Sequence, residues 1–266
     1  MANDHFISQF LTKWWEVQPG RMLHYFDFET ASFDVESSEH LLADRGLHTT
    51  ETGERLNRLV EQPFAQHLRV LESNPRANVP FPKSWRTFRA FAALWWLQPQ
   101  RTSDATTPGE LGMSLDQLLT YEEGAIDAIG KRTLDNFLMF VVRANVRERL
   151  FFTQAGSFLI PVGNELSLAL PLSPHHFLTL VRKTVHAPEA ALQKVLDVES
   201  MLSGLSIGVG SKVHRVVLPP EMVPTNDAER AQCRQGLLML RTASRRIIDL
   251  LGEANEIVGL STWHVT

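Results

Sequence analysis

The chain has 266 residues, 44% hydrophobic and 21% charged, which suits a globular protein with its own core and excludes a disordered or fibrous chain. Its net charge of −4 lacks the basic excess that duplex binding requires, so nucleic acid is not indicated. The single cysteine, Cys233, excludes an internal disulfide framework and a cysteine-held metal cluster.

Residues 5–15, "HFISQFLTKWW", read as a short helix, because Phe6, Phe10 and Trp14 recur every four residues with Ile7 and Leu11 beside them. "QPG" at 18–20 ends it, and the aromatic run "RMLHYFDFE" predicts a strand. Residues 30–51 are polar and mixed, which suggests loop with short helical pieces. In "TGERLNRLVEQPFAQHLRVLES", Leu56, Leu59, Val60, Phe64, Leu68 and Leu71 share one stripe. Pro63 interrupts that helix, so a kink or two abutting helices are expected.

A linker, "NPRANVPFPKS", leads to Ser84, which can cap "WRTFRAFAALWWLQ" with Trp85, Phe88, Phe91, Ala92 and Trp95 inward. Pro99 stops this helix. Residues 110–129 and 131–148 predict two more, the second with Leu134, Phe137, Leu138 and Val141 on one side.

The pattern changes at Leu150. Short apolar runs broken by Gly-Ser, Gly-Asn and Ser-Pro predict a small antiparallel sheet through residue 183. A helix with Pro188 in its first turn runs to about Ser203, with Gly204 suited to its end. "SKVHRVVLPP" predicts one more strand. A long helix begins near Asp227, with Asn226 and Glu229 in capping-box spacing and Cys233, Leu237, Leu240, Ile247 and Leu251 on its buried face.

Known chemical signatures are missing: no phosphate-binding glycine loop, nucleophile elbow, paired-histidine zinc helix or calcium loop occurs. "SIGVGSK" at 206–212 places glycines before a lysine but leads into a strand, so a turn is the plainer reading. His175 and His176 are adjacent, a spacing poor for one metal and ordinary for a polar turn. Arg230, Arg234, Arg241, Arg245 and Arg246 could meet an acidic partner, although Asp227, Glu229 and Asp249 dilute them and a solvated face explains them as well. In the pairs Trp14-Trp15 and Trp95-Trp96, one indole can enter a core while the other lies on its flank. No metal or cofactor is implied. About 18 continuous apolar residues would signal a membrane span; none occurs, and the first residues do not read as a signal peptide, so a cytoplasmic chain is expected.

The opening "HFISQFLTKWW" resembles the start of a bacterial family called domain of unknown function 4238, typically His-aromatic-Ile/Val-Pro-Gln-Phe. "LHYFDFE", "LVEQPFAQHLRVLE", "WWLQPQRTSD", "FFTQAGSF" and "LALPLSPHHFLTL" resemble further family motifs in the same order. Ser8 replaces the proline of the opening motif, and Ala155 and Ser157 replace the aspartate and proline of a Thr-Ser-Asp-x-Pro segment. The resemblance implies a constellation of His5, Gln9, Glu61, Gln98 and Arg101. Such residues suit general acid/base work or an anionic ligand, and also a buried polar network, which Ala155 in place of the family aspartate favours.

The expected fold is α-dominant α+β, helices packed around a small antiparallel sheet formed mainly by the second half. Residues 1–148 form a mainly helical part and 149–266 the sheet plus a long C-terminal helix, within one integrated domain. Two functions stay open. One is a pocket protein of enzyme ancestry for a small anionic or nucleotide-like ligand. The other is a protein-interaction module, as in bacterial conflict or phage defence.

Overall fold

The computed structural model describes residues 3–5, 9–17, 20–41, 43–45, 51, 54–55, 57–73, 135–145, 147–153, 156–207 and 214–257. The chain divides into two compact units, Met1–Leu11 with Leu42–Phe137, and Thr12–Leu41 with Leu138–Thr266. The helices expected at 85–98 and 110–129 lie outside the described residues.

In the first unit, β1 (Asn3–His5) pairs antiparallel with β5 (Ala43–Arg45), His5 opposite Ala43. A π-helical turn, Asn57–Glu61, runs directly into the helix Gln62–Ser73, in which Phe64 and Leu68 are buried one turn apart. Pro63, in that helix's second position, has no N–H to offer the carbonyl four residues back. The helix therefore changes its hydrogen-bond spacing just upstream, which is the form the expected interruption takes.

The second unit holds two antiparallel sheets. The five-stranded one centres on β3 (Met22–Asp27). Along one edge of β3 runs β4 (Ser32–Ser37); the other edge is shared by β2 (Glu16–Val17) at residues 22–23 and β11 (Arg215–Val217) at 25–27. The short β7 (Phe152–Thr153) pairs with β11. The four-stranded sheet has the order β6 (Phe137–Arg143), β10 (His176–Arg182), β9 (Glu165–Ser173), β8 (Phe158–Val162).

The α-dominant expectation is thus corrected: among the described residues the framework of this unit is nine strands in two sheets, not helices around a small one. Two misread segments account for it. Residues 137–143, expected in a helix, are a strand because the aromatic and β-branched side chains of "FLMFVVR" suit a pleated surface better than a helix interior. Residues 32–37 alternate Phe33 and Val35 with polar neighbours, the period of a strand. Their turn is built by Asp27, whose Oδ1 accepts the Glu29 and Thr30 N–H groups at 2.8 and 3.3 Å, and by Ala31 at φ 52°.

In the four-stranded sheet β8, β9 and β10 are buried on both faces, hence their nearly unbroken apolar runs, while β6 is mostly half-buried. Phe158, Ile160, Val162, Ala169, Phe177 and Val181 join Leu192 and Val195 of Pro188–Leu196 and Leu202 and Leu205 of Met201–Ile207 in one cluster. Leu159, Leu170, Leu178 and Leu180 are also buried. The single helix expected to end at Gly204 is therefore two, separated at Ser200 with φ 63°. Gly204 lies inside the second, where an added Cβ would stand 3.6 Å from Leu240 Cδ2 of the long helix Asp227–Ile257. At that helix's start Asn226 Oδ1 accepts the Glu229 N–H at 2.9 Å, while Glu229 reaches back to the N–H and hydroxyl of Thr225 rather than to Asn226.

The opening segment is not one helix either. His5 ends a strand, Gln9–Thr12 forms one α-turn, and Lys13–Trp15 tightens to a 3-10 turn. A 3-10 turn advances about 120° per residue, so the buried indole is Trp15, not the expected Trp14. Trp15 Nε1 donates to Leu150 O at 3.0 Å and its ring meets Phe152 edge-on, centroids 5.0 Å apart.

Residues 148–153 are held at each position. The N–H groups of Arg149 and Phe151 donate to Ser203 Oγ and Ser206 Oγ at 3.2 and 3.1 Å, that of Leu150 to Pro174 O at 2.9 Å, and Phe152–Thr153 join the ladder with β11. Trp15→Phe and Ser206→Ala, which strand a buried carbonyl and a buried N–H, should each cost ~1–3 kcal/mol in denaturant titrations. Ala187 sits at φ 48° immediately before Pro188, on the surface. Ala187→Gly should instead stabilise by about 0.5–1 kcal/mol in the same assay.

Candidate functional site

Of the five candidate residues, the described structure carries three. His5 closes β1, Gln9 opens the α-turn, and half-buried Glu61 ends the π-helical turn. All three belong to the unit formed by Met1–Leu11 and Leu42–Phe137. Gln98 and Arg101 lie outside the described residues, as does Ala155, and so do Gly208 and Gly210 of "SIGVGSK".

His175 lies in the polar turn between β9 and β10, and His176 opens β10. Ser173 Oγ accepts both of their N–H groups at 3.1 Å, and His176 is only 3% exposed. Among the described residues no group of three His, Cys, Asp or Glu side chains could hold a metal ion, and no helix is long and apolar enough to cross a membrane.

Three polar clusters escaped the sequence reading. In the first, Glu148 is 2% exposed, and its Oε1 accepts the Leu202 N–H at 3.0 Å, satisfying a donor at the start of Met201–Ile207. Its Oε2 has no hydrogen-bond partner among the described residues. Burial pushes the Glu148 pKa up; the Leu202 and Ser203 N–H groups draw it back only in part, and Glu199 raises it further. Neighbouring Arg149 donates through Nε to Glu221 and through NH1 to Glu148 O at 2.8 Å. His175 Nε2 lies 3.9 Å from Glu221 Oε1.

The second cluster lies on the five-stranded sheet. Arg215 Nε donates to Asp27 Oδ2 at 3.2 Å, its guanidinium stands 5.3 Å from the Tyr25 ring centre, and Tyr25 OH donates to Asp34 Oδ2 at 3.3 Å. Burial pushes the Asp27 pKa up, but the Glu29 and Thr30 N–H groups and Arg215 together hold it below the usual carboxylate range. The third joins His214 Nδ1 to Glu29 Oε1 at 2.7 Å, beside Arg241, whose guanidinium stacks 4.1 Å from the Phe28 ring centre.

Glu148 Oε2 apart, the interactions of these clusters are made within the chain itself, capping a helix, closing a hairpin or pairing strands. A spacing rule could have found only Asp27, whose aspartate two and three residues before the turn N–H groups is a turn signal. Glu148 was hidden because 131–148 reads as a helix, and Arg149 and Glu221, 72 residues apart, have no local spacing that pairs them. No family model, curated protein or solved structure matches the chain.

Glu148 makes stability depend on pH in a defined direction. Its folded value stands above the ordinary 4.5, so the protonated form is favoured in the fold. That contribution is complete below the unfolded value and is lost as pH climbs from there through the folded value. Glu148→Gln keeps an acceptor for Leu202 and removes the charge. Its stability relative to the wild type should therefore rise across that interval and level off above it, read as urea midpoints against pH.

Proposed function

We propose that the unit formed by Met1–Leu11 and Leu42–Phe137 is a cytoplasmic binding module for a small anionic or nucleotide-like ligand, lined by His5, Gln9, Glu61, Gln98 and Arg101. The observation that carries this reading is the π-helical turn Asn57–Glu61. Such turns widen the helix by one residue and recur at functional sites, where they turn a side chain out of the regular stripe. Here the turn ends on a half-buried carboxylate, Glu61, in the same unit as the strand that ends on His5. A carboxylate and an imidazole can accept and donate to a ligand's polar edge, while Arg101 supplies charge for an anion. The six motifs in family order support this set and an enzyme ancestry; Ala155, where the family has an aspartate, favours binding over turnover.

The test is a thermal-shift series with ATP, AMP and inorganic phosphate. A ligand present at a hundredfold over its Kd should add about 2.7 kcal/mol by mass action. The shift should vanish in Arg101→Ala and shrink in Glu61→Gln. Absence of any shift, or a shift that survives Arg101→Ala, counts against the pocket.

A further inference from the structure

The outer side of the helix Asp227–Ile257 is not what a solvated face requires. Between Glu229 and Asp249 this helix carries five arginines and no carboxylate, and all but Arg241 are exposed, in a chain that is otherwise strongly net acidic. A solvated helix is usually laced with opposite charges one turn apart. Here Arg230 and Arg234, and again Arg241 and Arg245, are like-charged at that spacing, which works against the helix. Arg230 also stands in the first turn, where the helix dipole disfavours a cation, and the last turn has no basic residue to benefit from it.

Among the described residues no carboxylate pairs with Arg230, Arg234, Arg245 or Arg246. Arg241 is set over Phe28, where it is repelled by Arg245 and attracted by Glu29. On the same outer side Leu238, Met239 and Leu250 are 39%, 64% and 60% exposed. The opposite side is anchored: Leu237 and Ser244 are buried, and Leu240 and Ile247 pack into the two apolar clusters. The helix is thus held by its inner side, which leaves the outer face free for a partner.

We propose that this face docks an acidic, amphipathic helix of a partner protein, whose carboxylates pair with Arg234, Arg245 and Arg246 while its apolar side chains cover Leu238, Met239 and Leu250. Two other polyanions fit less well. A nucleic acid would set phosphates against the exposed leucine and methionine and would meet repulsion from the rest of an acidic chain. A lipid surface needs a continuous apolar side, and Gln232, Gln235 and Thr242 interrupt this one. An acidic amphipathic helix uses both components, with arginine supplying the paired contacts and methionine the adaptable apolar one. The surface lies in the other unit from the proposed pocket and does not depend on it.

The full chain is titrated with a fluorescent helical peptide bearing leucines at alternating three- and four-residue spacing between glutamates, in parallel with single-stranded DNA and phosphatidylglycerol vesicles. Peptide binding should weaken with salt and fall about tenfold or more in Arg234→Gln/Arg245→Gln and in Met239→Ser. The Arg234→Lys/Arg245→Lys pair, which keeps the charge, should retain most of it. These side chains face outward, so unchanged melting curves verify folding, and Arg246→Gln substitutes for any variant that melts early. The proposal is overturned if the peptide fails to bind, if the substitutions leave its affinity unchanged, or if DNA or vesicles bind in preference to it.

Discussion

The second unit depends on how one buried stretch of backbone, residues 148–153, finds its hydrogen bonds. Leu150, Phe151 and Phe152 are fully buried in succession, so none of their peptide groups can turn to water, and each must be met within the protein. The partners come from four directions: the indole of Trp15, the carbonyl of Pro174 in the four-stranded sheet, the hydroxyls of Ser203 and Ser206, and the strand Arg215–Val217 of the five-stranded sheet. The side chains diverge in the same way. Leu150 enters the cluster over the four-stranded sheet, Phe151 the cluster under the long helix, and Phe152 meets Trp15. The stretch ties both sheets and two helices into one body. Two serines three residues apart stand in for the neighbouring strand that this segment lacks.

What could be read in the sequence follows from how local each determinant is. The strands 22–27, 158–162, 165–173 and 176–182 were legible because Gly163-Asn164 and Ser173-Pro174 mark their turns and because apolar side chains on both faces leave long hydrophobic runs. The start of the long helix was legible from Asn226 and Glu229, which sit within one turn of each other. The hairpin at 28–31 was not, since its left-handed position is filled by Ala31 where glycine or asparagine would announce it. The strand 137–143 was missed for a different reason. Phe137, Leu138 and Val141 also fit a helical stripe, and that spacing masked the aromatic and β-branched composition that suits the edge offered by β10.

The candidate site was legible to a smaller degree. His5, Gln9 and Glu61 came from ordered motifs, and the structure places Glu61 at the end of a π-helical turn without testing its role. Glu148 could not have been found from spacing at all. Its two defining features, burial and the Leu202 N–H, come from a helix more than fifty residues away. Arginines without acids over nineteen residues could have been counted, but their meaning required knowing which side of the helix is anchored.

The pairing of β3 with β11 carries a consequence for biosynthesis. Asp27 and Arg215, partners across that ladder, are 188 residues apart. At ribosomal speeds of about 5–20 residues per second, β3 waits for its neighbour on the order of ten seconds or more. During that interval β4 can close one edge as soon as the hairpin turn forms and β2 can cover residues 22–23 of the other, yet the stretch bearing Tyr25 and Phe26 stays open, and a bare apolar strand edge recruits whatever strand it meets. The nascent chain is therefore a customer for holding chaperones until its last quarter has emerged. Its yield in a cell should be governed by the rate of elongation near the C-terminal end as much as by the stability of the finished fold.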